Sequence, residues 1–330
     1  MSAVPTLQAT GQLVYFGKVP CRGDFVRSTQ HGALIEQLDH WQSHTMEHLS
    51  SDPRWKLLYD AASPLAFAVL GTGSRVGLAG HWMASQDASG RRFPFLTACA
   101  LSLNLPRDTL PVAPVALARI WGRLEQVARV AHAATDLAHA QGSLDAPMDV
   151  DLQAPLAQQA QADFLASRTV AALDQMLSSG THRFSVRHAT LALGLLLQPA
   201  MAQGAARLNK VLCCPLPQEP AVRASVAGWW LSLVLGFFSR HEVELGLFLA
   251  SVDGRPHLVL GFHGASPAVL HALIDPARLD EHGVFLRDLD WVEDEVDADY
   301  GMRKLSNYLR DPGLSLAQAL SVYNEVFLGV

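Results

Sequence analysis

The hydrophobic and polar residues of this chain repeat with two different periods, and each period predicts a different kind of element. Short apolar runs bounded by Gly, Pro or Asp are typical of strands, whereas apolar residues three and four positions apart are typical of helices. In the first third of the chain the predicted strands are residues 13–16, 64–70, 75–83 and 96–101. The predicted helices that flank them are residues 31–49 and 112–140.

The same two patterns continue in the second half of the chain. Two apolar runs at 244–252 and 257–263 flank Asp253-Gly254, which predicts a β-hairpin. Helical periods return at 163–177 and 267–274 and in an amphipathic tail from Ser315. These elements predict an α/β fold with a mixed, mostly antiparallel sheet and helices on its faces.

A break rich in Gly and Pro at residues 142–155 suggests how the chain is divided. We expect an N-terminal α/β domain at 11–145, a helical connection at 146–180 and a second α/β lobe at 181–330. A chain of 330 residues exceeds a typical single domain, and its 49% hydrophobic residues suffice for a sizeable core.

Composition and charge narrow the class of protein. A formal net charge of −6 argues against general nucleic-acid binding, which favours basic surfaces. The chain shows no basic and apolar export signal before residue 11, and its longest apolar run, 226–238, is expected to be too short for membrane insertion. Four cysteines without zinc spacing are typical of reduced thiols. We therefore expect a cytoplasmic protein.

The first candidate site is residues 15–27, here called the first loop. Gly17, Pro20 and Gly23 interrupt regular structure, because Gly accepts positive φ and Pro fixes its own φ. Between and beside them the loop carries Lys18, Arg22, Asp24, Phe25 and Arg27. So many charges exceed what a simple turn needs. The first loop is therefore expected to bind something or to brace a second loop.

Residues 87–95, the second loop, have a similar composition and contain Gly90, Arg91, Arg92, Phe93 and Pro94. In a structural interpretation, Asp24 and Asp87 pair with the cations of both loops and hold the loops together beside Phe25. In a functional interpretation, the guanidinium groups stay available for an anionic ligand or an acidic protein patch. We favour a structural role for Arg22 and Asp24, and a partner contact for Arg91 or Arg92.

Other motifs give no active site. Gly17-Lys18 is not a P-loop, because Gln12 and Val19 occupy positions that this motif fixes. The histidine stripe of the first helix, His40, His44 and His48, is expected to be a solvated face, so we expect no metal and no cofactor. Seven acids within residues 288–299 predict a solvated acidic face or a dock for a basic partner.

The two loops together resemble the TagF (also called ImpM) family of accessory proteins of bacterial type VI secretion systems. The resemblance rests on Gly-Lys-Val-Pro-Cys-Arg-Gly-Asp-Phe-Val at 17–26 and Gly-Arg-Arg-Phe-Pro-Phe at 90–95. It covers about the first third of the chain, with a Gly-Trp-Trp segment at 228–230 beyond it. The Ser-Pro-Ser-Val-Asp lead-in usual in the family is replaced by Ala-Ser-Gln-Asp at 84–87.

This resemblance implies a three-layer α-β-α sandwich and a non-enzymatic function. A family member is expected to repress type VI secretion post-translationally by binding a scaffold protein with a forkhead-associated domain. A second class of function stays open, in which the chain is an enzyme or sensor that acts on a phosphorylated or anionic small ligand. Its site would be the cations Lys18, Arg22 and Arg91.

Overall fold

The described residues form a single sheet of ten strands. The computed structural model describes residues 6–104, 107–148, 150–151, 154–180 and 183–330. The strands are β1 (Thr6–Gly17), β2 (Val26–Arg27), β3 (Leu65–Gly71), β4 (Val76–Met83), β5 (Phe95–Asn104), β6 (Val150–Asp151), β7 (Val211–Pro215), β8 (Glu244–Val252), β9 (Arg255–Gly261) and β10 (Gly283–Phe285). Their order across the sheet is β10-β7-β9-β8-β3-β4-β5-β1-β2, and β6 pairs with β1.

Every pairing in this sheet is antiparallel except that of β10 with β7. The sheet is therefore mixed and largely antiparallel, as the sequence predicts. The hairpin expected at Asp253-Gly254 joins β8 to β9 in a regular register from Gly246↔Gly261 to Val252↔Arg255. Both turn residues have positive φ, 52° at Asp253 and 72° at Gly254, which suits a tight hairpin.

The helices cover both faces of the sheet. They are α1 (Gly32–Ser50), α2 (Trp55–Ala61), α3 (Ala113–Ala133), α4 (Gln141–Leu144), α5 (Ala154–Ser167), α6 (Val170–Leu177), α7 (Val186–Leu197), α8 (Ala200–Gln203), α9 (Pro220–Leu235), α10 (Pro267–Ile274), α11 (Pro276–His282), α12 (Val292–Ala298), α13 (Tyr300–Leu309) and α14 (Leu316–Leu328). Alternate residues of each strand face opposite sides. In β8, for example, Leu245 and Leu247 join one core and Phe248 and Ala250 join the other.

The two cores differ in size and in the helices that build them. The larger core contains apolar residues of α3, α5–α7, α9 and α12–α14. The smaller one contains residues of α1, α2, α10 and α11. The result is the expected three-layer α-β-α sandwich.

Helix α9 contains most of the long apolar run predicted at 226–238. Among the described residues, the segment Pro220–Phe238 is long and apolar enough, by length and composition alone, to cross a membrane. This finding corrects the expectation that the apolar run is too short. In the structure the segment belongs to the larger core, where Trp229, Trp230 and Leu233 are fully buried and the helix contacts α3, α5, α7 and α14. Its apolar residues are therefore accounted for by packing inside the protein.

The middle of the sheet joins the two predicted lobes. Strand β3, from the first of them, pairs with β8, from the second, over the register Ala66↔Leu249 to Gly71↔Glu244. The lobe boundaries stay a prediction, and residues 149, 152 and 153 of the proposed break lie outside the described part of the chain. What the structure shows is that backbone hydrogen bonds cross from one predicted lobe to the other.

Two helices depart from their predicted limits. The helix predicted at 112–140 ends at Ala133, because Ala134 is extended and Asp136 begins a new short turn by accepting a hydrogen bond from the N–H of Ala138. The helix predicted at 163–177 is two helices, α5 and α6. They are separated at Thr169, whose side chain caps α6 and whose backbone bridges to Ser315. Capping side chains decide where these helices begin and end.

Candidate functional site

Asp87 is the centre of the two-loop site. Its side chain is fully buried, and its carboxylate accepts from the Lys18 ammonium at 2.9 Å and from Nε of Arg91 at 2.7 Å. The backbone N–H groups of Ser89 and Arg91 donate to the same carboxylate at 2.9 and 3.0 Å. The carboxylate of Asp87 therefore binds two residues of its own loop, Ser89 and Arg91, and also binds Lys18 of the first loop.

These bonds determine the acidity of Asp87. Desolvation by burial raises the pKa of Asp87, but hydrogen bonds from Lys18, Arg91 and Ser89 outweigh it and hold the pKa well below its ordinary value. The group is therefore ionised at any physiological pH. The charge of Asp87 is neutralised by Lys18 and Arg91 rather than by an external partner.

Backbone contacts fix the two loops side by side. The N–H of Ala88 donates to the carbonyl oxygen of Arg22 at 2.8 Å, and Arg91 donates from its guanidinium to the carbonyl oxygen of Gly23. The hydroxyl of Ser85 donates to the carbonyl oxygen of Lys18 at 2.6 Å. The predicted contact between the loops is confirmed by these bonds.

Gly17 allows this close approach. Its φ is +133°, and a Cβ at this position would lie 1.9 Å from the carbonyl oxygen of Pro94. No residue with a side chain fits such a position without a shift of the backbone. The predicted role of Gly17 as a break in the chain is therefore also a role in packing the loops.

Three phenylalanines from both loops form a cluster beside Asp87. The ring of Phe25 stacks on Phe16 at 5.6 Å between centroids and meets Phe93 edge-on at 4.9 Å. The Lys18 ammonium lies 5.0 Å from the centroid of Phe25. Phe25 is nevertheless 43% exposed, so it is an aromatic side chain held in place but open to solvent.

Helix α2 braces the second loop from the other side. Asp60 accepts from Arg92 through both of its oxygens, at 2.7 and 2.6 Å. The hydroxyl of Tyr59 donates to the carbonyl oxygen of Ser85 at 2.8 Å and accepts from the N–H of Ser85 at 2.7 Å. Asp60 and Tyr59 were not among the predicted site residues, because no local pattern links them to a loop about thirty positions away.

The charges of the first loop behave differently from the prediction. Asp24 was expected to pair with the cations, but its carboxylate accepts only from the N–H of Phe25, at 2.8 Å, among the described contacts. Arg22 and Arg27 are exposed and their side chains form no ion pair within the described part of the chain. Among the described residues, the ion pairs that link the two loops are therefore those of Asp87, because the carboxylate of Asp24 is turned to the backbone N–H of Phe25.

The exposed side of the first loop borders an open groove of about 490 Å³. It is lined by Tyr15, by residues 22–27 and by Leu137. Burial raises the pKa of Tyr15, so its hydroxyl stays neutral and can donate or accept a hydrogen bond. The groove therefore combines two unpaired arginines with aromatic side chains.

Arg91 and Arg92, the predicted partner contacts, are both engaged within the protein, with Asp87 and Asp60 respectively. A further contact of either residue with a partner stays a prediction. Pro20 and Cys21 are half-buried, and Cys21 packs against the larger core. Gly90 has φ +77° and open space around it, so it forms the turn of the second loop.

The histidine stripe of α1 is on the solvent side, as predicted. His40, His44 and His48 are exposed, while Leu38, Trp41 and Leu49 of the opposite face are buried. The rings of His40 and His44 lie 4.0 Å apart. Among the described residues no group of three or more His, Cys, Asp or Glu side chains is placed to hold a metal ion.

The acidic stretch 288–299 contains one residue with a distinct internal role. Glu293 accepts from both terminal nitrogens of Arg187, at 2.6 and 2.8 Å, and contacts Nε2 of His188 at 2.9 Å. Hydrogen bonds from Arg187 and His188 lower the pKa of Glu293 to about 2. No local sequence pattern predicts this pairing, since the partners are more than 100 residues apart.

Comparison with known proteins agrees with this picture of the first part of the chain. Residues 14–146 match the family model described as the TagF N-terminal domain, type VI secretion system-associated. The chain is therefore a protein associated with type VI secretion. It carries a TagF N-terminal domain that contains both loops, which supports its membership of the TagF family and confirms the resemblance seen in the sequence.

Comparison with individual proteins gives less information about this chain than the family match does. No curated protein matches the chain. Three chains of solved structures match, among them the crystal structure of PA0076 from Pseudomonas aeruginosa PAO1 at 2.05 Å resolution. That protein is 22% identical, and the match covers 45% of this chain and 78% of that one with a TM-score of 0.34. A TM-score this low does not establish a shared fold.

Proposed function

We propose that this protein is a non-enzymatic accessory protein of a bacterial type VI secretion system. It acts in the cytoplasm as a post-translational negative regulator that binds a scaffold protein with a forkhead-associated domain. The observation that supports a binding function is the exposed edge formed by Arg22, Phe25 and Arg27, held rigidly on the braced loops.

The rigidity of this edge favours binding. The first loop is hydrogen-bonded to the second through Arg22, Gly23 and Lys18, and Phe25 is already stacked on its neighbours. A partner would therefore not have to order the loop, which reduces the entropic cost of association. In pre-organised complexes the backbone of the binding surface moves little between the free and the bound protein.

The residue types of the edge also favour a protein partner. Arginine and aromatic residues are enriched among the side chains that contribute most to binding. The two unpaired arginines lie on a chain with a formal net charge of −6. A local basic edge on an acidic body attracts a partner with an acidic patch and disfavours non-specific contacts. We therefore expect an acidic surface on the scaffold.

The alternative function, an enzyme or sensor for a phosphorylated or anionic small ligand at Lys18, Arg22 and Arg91, has less support. Two of its three cations already neutralise Asp87. Releasing either of them for a ligand would remove one of the two cations that neutralise a buried carboxylate, which is costly. Only Arg22 remains available, and one exposed arginine does not form a site for a small anion.

The experiment compares two pairs of exposed arginines that have no ion pair in the described structure. Arg22→Glu/Arg27→Glu reverses the charge of the proposed edge, and Arg183→Glu/Arg255→Glu reverses the charge of a distant surface. We expect the first variant to bind the scaffold at least roughly 30-fold more weakly, as for the loss of a central contact, and the second to bind normally. Calorimetric titration gives both affinities, and a secretion assay shows whether repression is lost.

Further variants separate binding from folding. All charge-reversal variants should melt at the temperature of the wild-type protein, because the replaced side chains have no internal partner. If Arg22→Glu/Arg27→Glu binds and represses normally, the edge is not the contact. If Arg91→Ala/Arg92→Ala melts normally yet loses binding, the earlier prediction for these two arginines is right and the contact lies on the second loop.

A further inference from the structure

The part of the chain outside the family match contains a cleft with a volume of about 600 Å³. It lies beyond the carboxyl ends of β7 and β10, the one parallel pair of the sheet. Clefts at this end of parallel strands are common ligand sites in α/β proteins. The turn of the β8–β9 hairpin and the first turn of α7 form the other walls.

The cleft offers hydrogen-bond donors that have no partner. Arg183 and Arg255 line it, are exposed, and form no ion pair or side-chain hydrogen bond with the described residues. The hydroxyl of Ser179 is shielded from solvent and is likewise without a partner in the described part of the chain. Two guanidinium groups and a hydroxyl suit a carboxylate.

The same cleft offers acceptors. Asp288 and Asp290 are exposed on its rim, and a carboxylate oxygen of Asp290 lies 3.8 Å from Nδ1 of His188. In His257, desolvation by burial lowers the pKa, so the ring is neutral near pH 7. Its Nδ1 lies 3.0 Å from the carbonyl oxygen of Arg255, which can only accept, so Nδ1 carries the proton and Nε2 is an acceptor. Carboxylates and a neutral imidazole suit an ammonium group.

The apolar part of the lining includes Phe184, Leu216 and Phe285. A cleft of 600 Å³ is larger than one amino acid needs and lies within the range for small organic ligands. Arg183, Arg255 and Arg287 balance Asp253, Asp288 and Asp290 in formal charge. A ligand with a single sign of charge would therefore meet as much repulsion as attraction.

We propose that this cleft binds a small zwitterion of about the size of a tripeptide. Its carboxylate is bound by Arg183 and Arg255, its ammonium by Asp288 and Asp290, and its apolar body lies against Phe184 and Phe285. This site is independent of the two-loop edge, because none of its residues belongs to residues 14–146.

Calorimetric titration of the full-length protein tests the proposal with two probes, the tripeptides Ala-Leu-Ala and Ala-Phe-Ala with free termini. The matched probes are the same tripeptides with an acetylated N-terminus and an amidated C-terminus, which keep the apolar body but lose both charges. We expect a free tripeptide to bind and its blocked form to bind at least about tenfold more weakly.

Variants assign the binding to the cleft. Arg183→Ala/Arg255→Ala should weaken binding at least about tenfold, and Asp288→Asn should weaken it less, since Asp290 remains. Asn tolerates the positive φ of 55° at position 288, so the backbone should be kept. The matched control Arg22→Ala/Arg27→Ala should bind the tripeptide normally. The proposal is overturned if neither free tripeptide binds, if blocked tripeptides bind equally well, or if the control variant loses as much affinity as the cleft variant.

Discussion

The first and second loops have similar compositions but different roles in the structure. In the second loop Asp87, Arg91 and Arg92 all form ion pairs within the protein. In the first loop Arg22 and Arg27 form none among the described residues, and Phe25 is 43% exposed. The second loop therefore supports the site through its ion pairs, whereas the first loop, apart from the buried Lys18, presents its charged side chains to solvent.

This difference shows that charge in a loop does not by itself indicate a binding surface. A buried carboxylate recruits the nearest cations, and those cations are then unavailable to a partner. Asp87 recruits Lys18 and Arg91, whereas the exposed Asp24 recruits neither of the arginines beside it. The burial of the acid, rather than the number of arginines, decides which residues remain free.

The largest loss of stability is expected for a substitution at Gly17, where the two loops approach each other closely. Gly17→Ala would place a Cβ 1.9 Å from the carbonyl oxygen of Pro94, so we expect it to destabilise the protein by roughly 3 kcal/mol or more, or to prevent folding. The matched control is Gly90→Ala, which also has positive φ but meets no atom within 4 Å and should cost only about 1 kcal/mol. Urea unfolding measures both, and equal effects would mean that the close approach is not important.

Asp87→Asn is expected to have the next largest effect. It removes the charge that neutralises Lys18, whose side chain is 9% exposed, and we expect the melting temperature to fall by roughly 5–10 °C. Asp24→Asn is the control, since the exposed Asp24 accepts only one backbone hydrogen bond. Differential scanning calorimetry of the two variants distinguishes them. Similar shifts would contradict the view that only the second loop supports the site.

The same pair of variants has a predictable dependence on pH. Because the folded-state pKa of Asp87 lies below its ordinary value of 3.8, its contribution to stability is complete above that pH and is lost as the pH falls below it. The difference in melting temperature between wild type and Asp87→Asn should therefore be constant from pH 7 to 5 and shrink below about pH 3.8. A difference that grows on acidification would contradict this assignment.

The smallest effect on stability is expected at the exposed edge. Arg22→Ala and Arg27→Ala should each change the free energy of unfolding by no more than about 0.5 kcal/mol, because neither side chain has a described internal partner. Phe25→Ala should cost somewhat more, since the ring contacts Phe16 and Phe93. A large loss of stability for either substitution would mean that this arginine helps to hold the loops together.

Periodicity predicted those parts of the fold that depend on neighbouring residues. The apolar face of α1, the hairpin between β8 and β9 and the helix α10 lie where the sequence placed them. The order of the strands could not be predicted in this way. The pairing of β3 with β8 joins residues about 180 positions apart, and no local pattern specifies it.

The candidate site was predicted in its location but not in its internal pairing. Gly, Pro and aromatic residues at strand ends indicated that the two loops meet, and they do. Which acid is buried depends on the surrounding sheet and on α2, so Asp87 and Asp24 could not be distinguished from the sequence. The contributions of Asp60 and Tyr59 were missed for the same reason.

The pairing of β3 with β8 limits how this protein can be divided. A fragment that ends at residue 146 would contain the matched family domain but would expose the β3 edge from Ala66 to Gly71, which β8 covers in the whole chain. Bare edges of central, apolar strands are prone to pair with other molecules. We therefore expect such a fragment to self-associate, which light scattering would detect. We therefore do not expect the domain recognised by homology to remain in solution as a separate fragment of this chain.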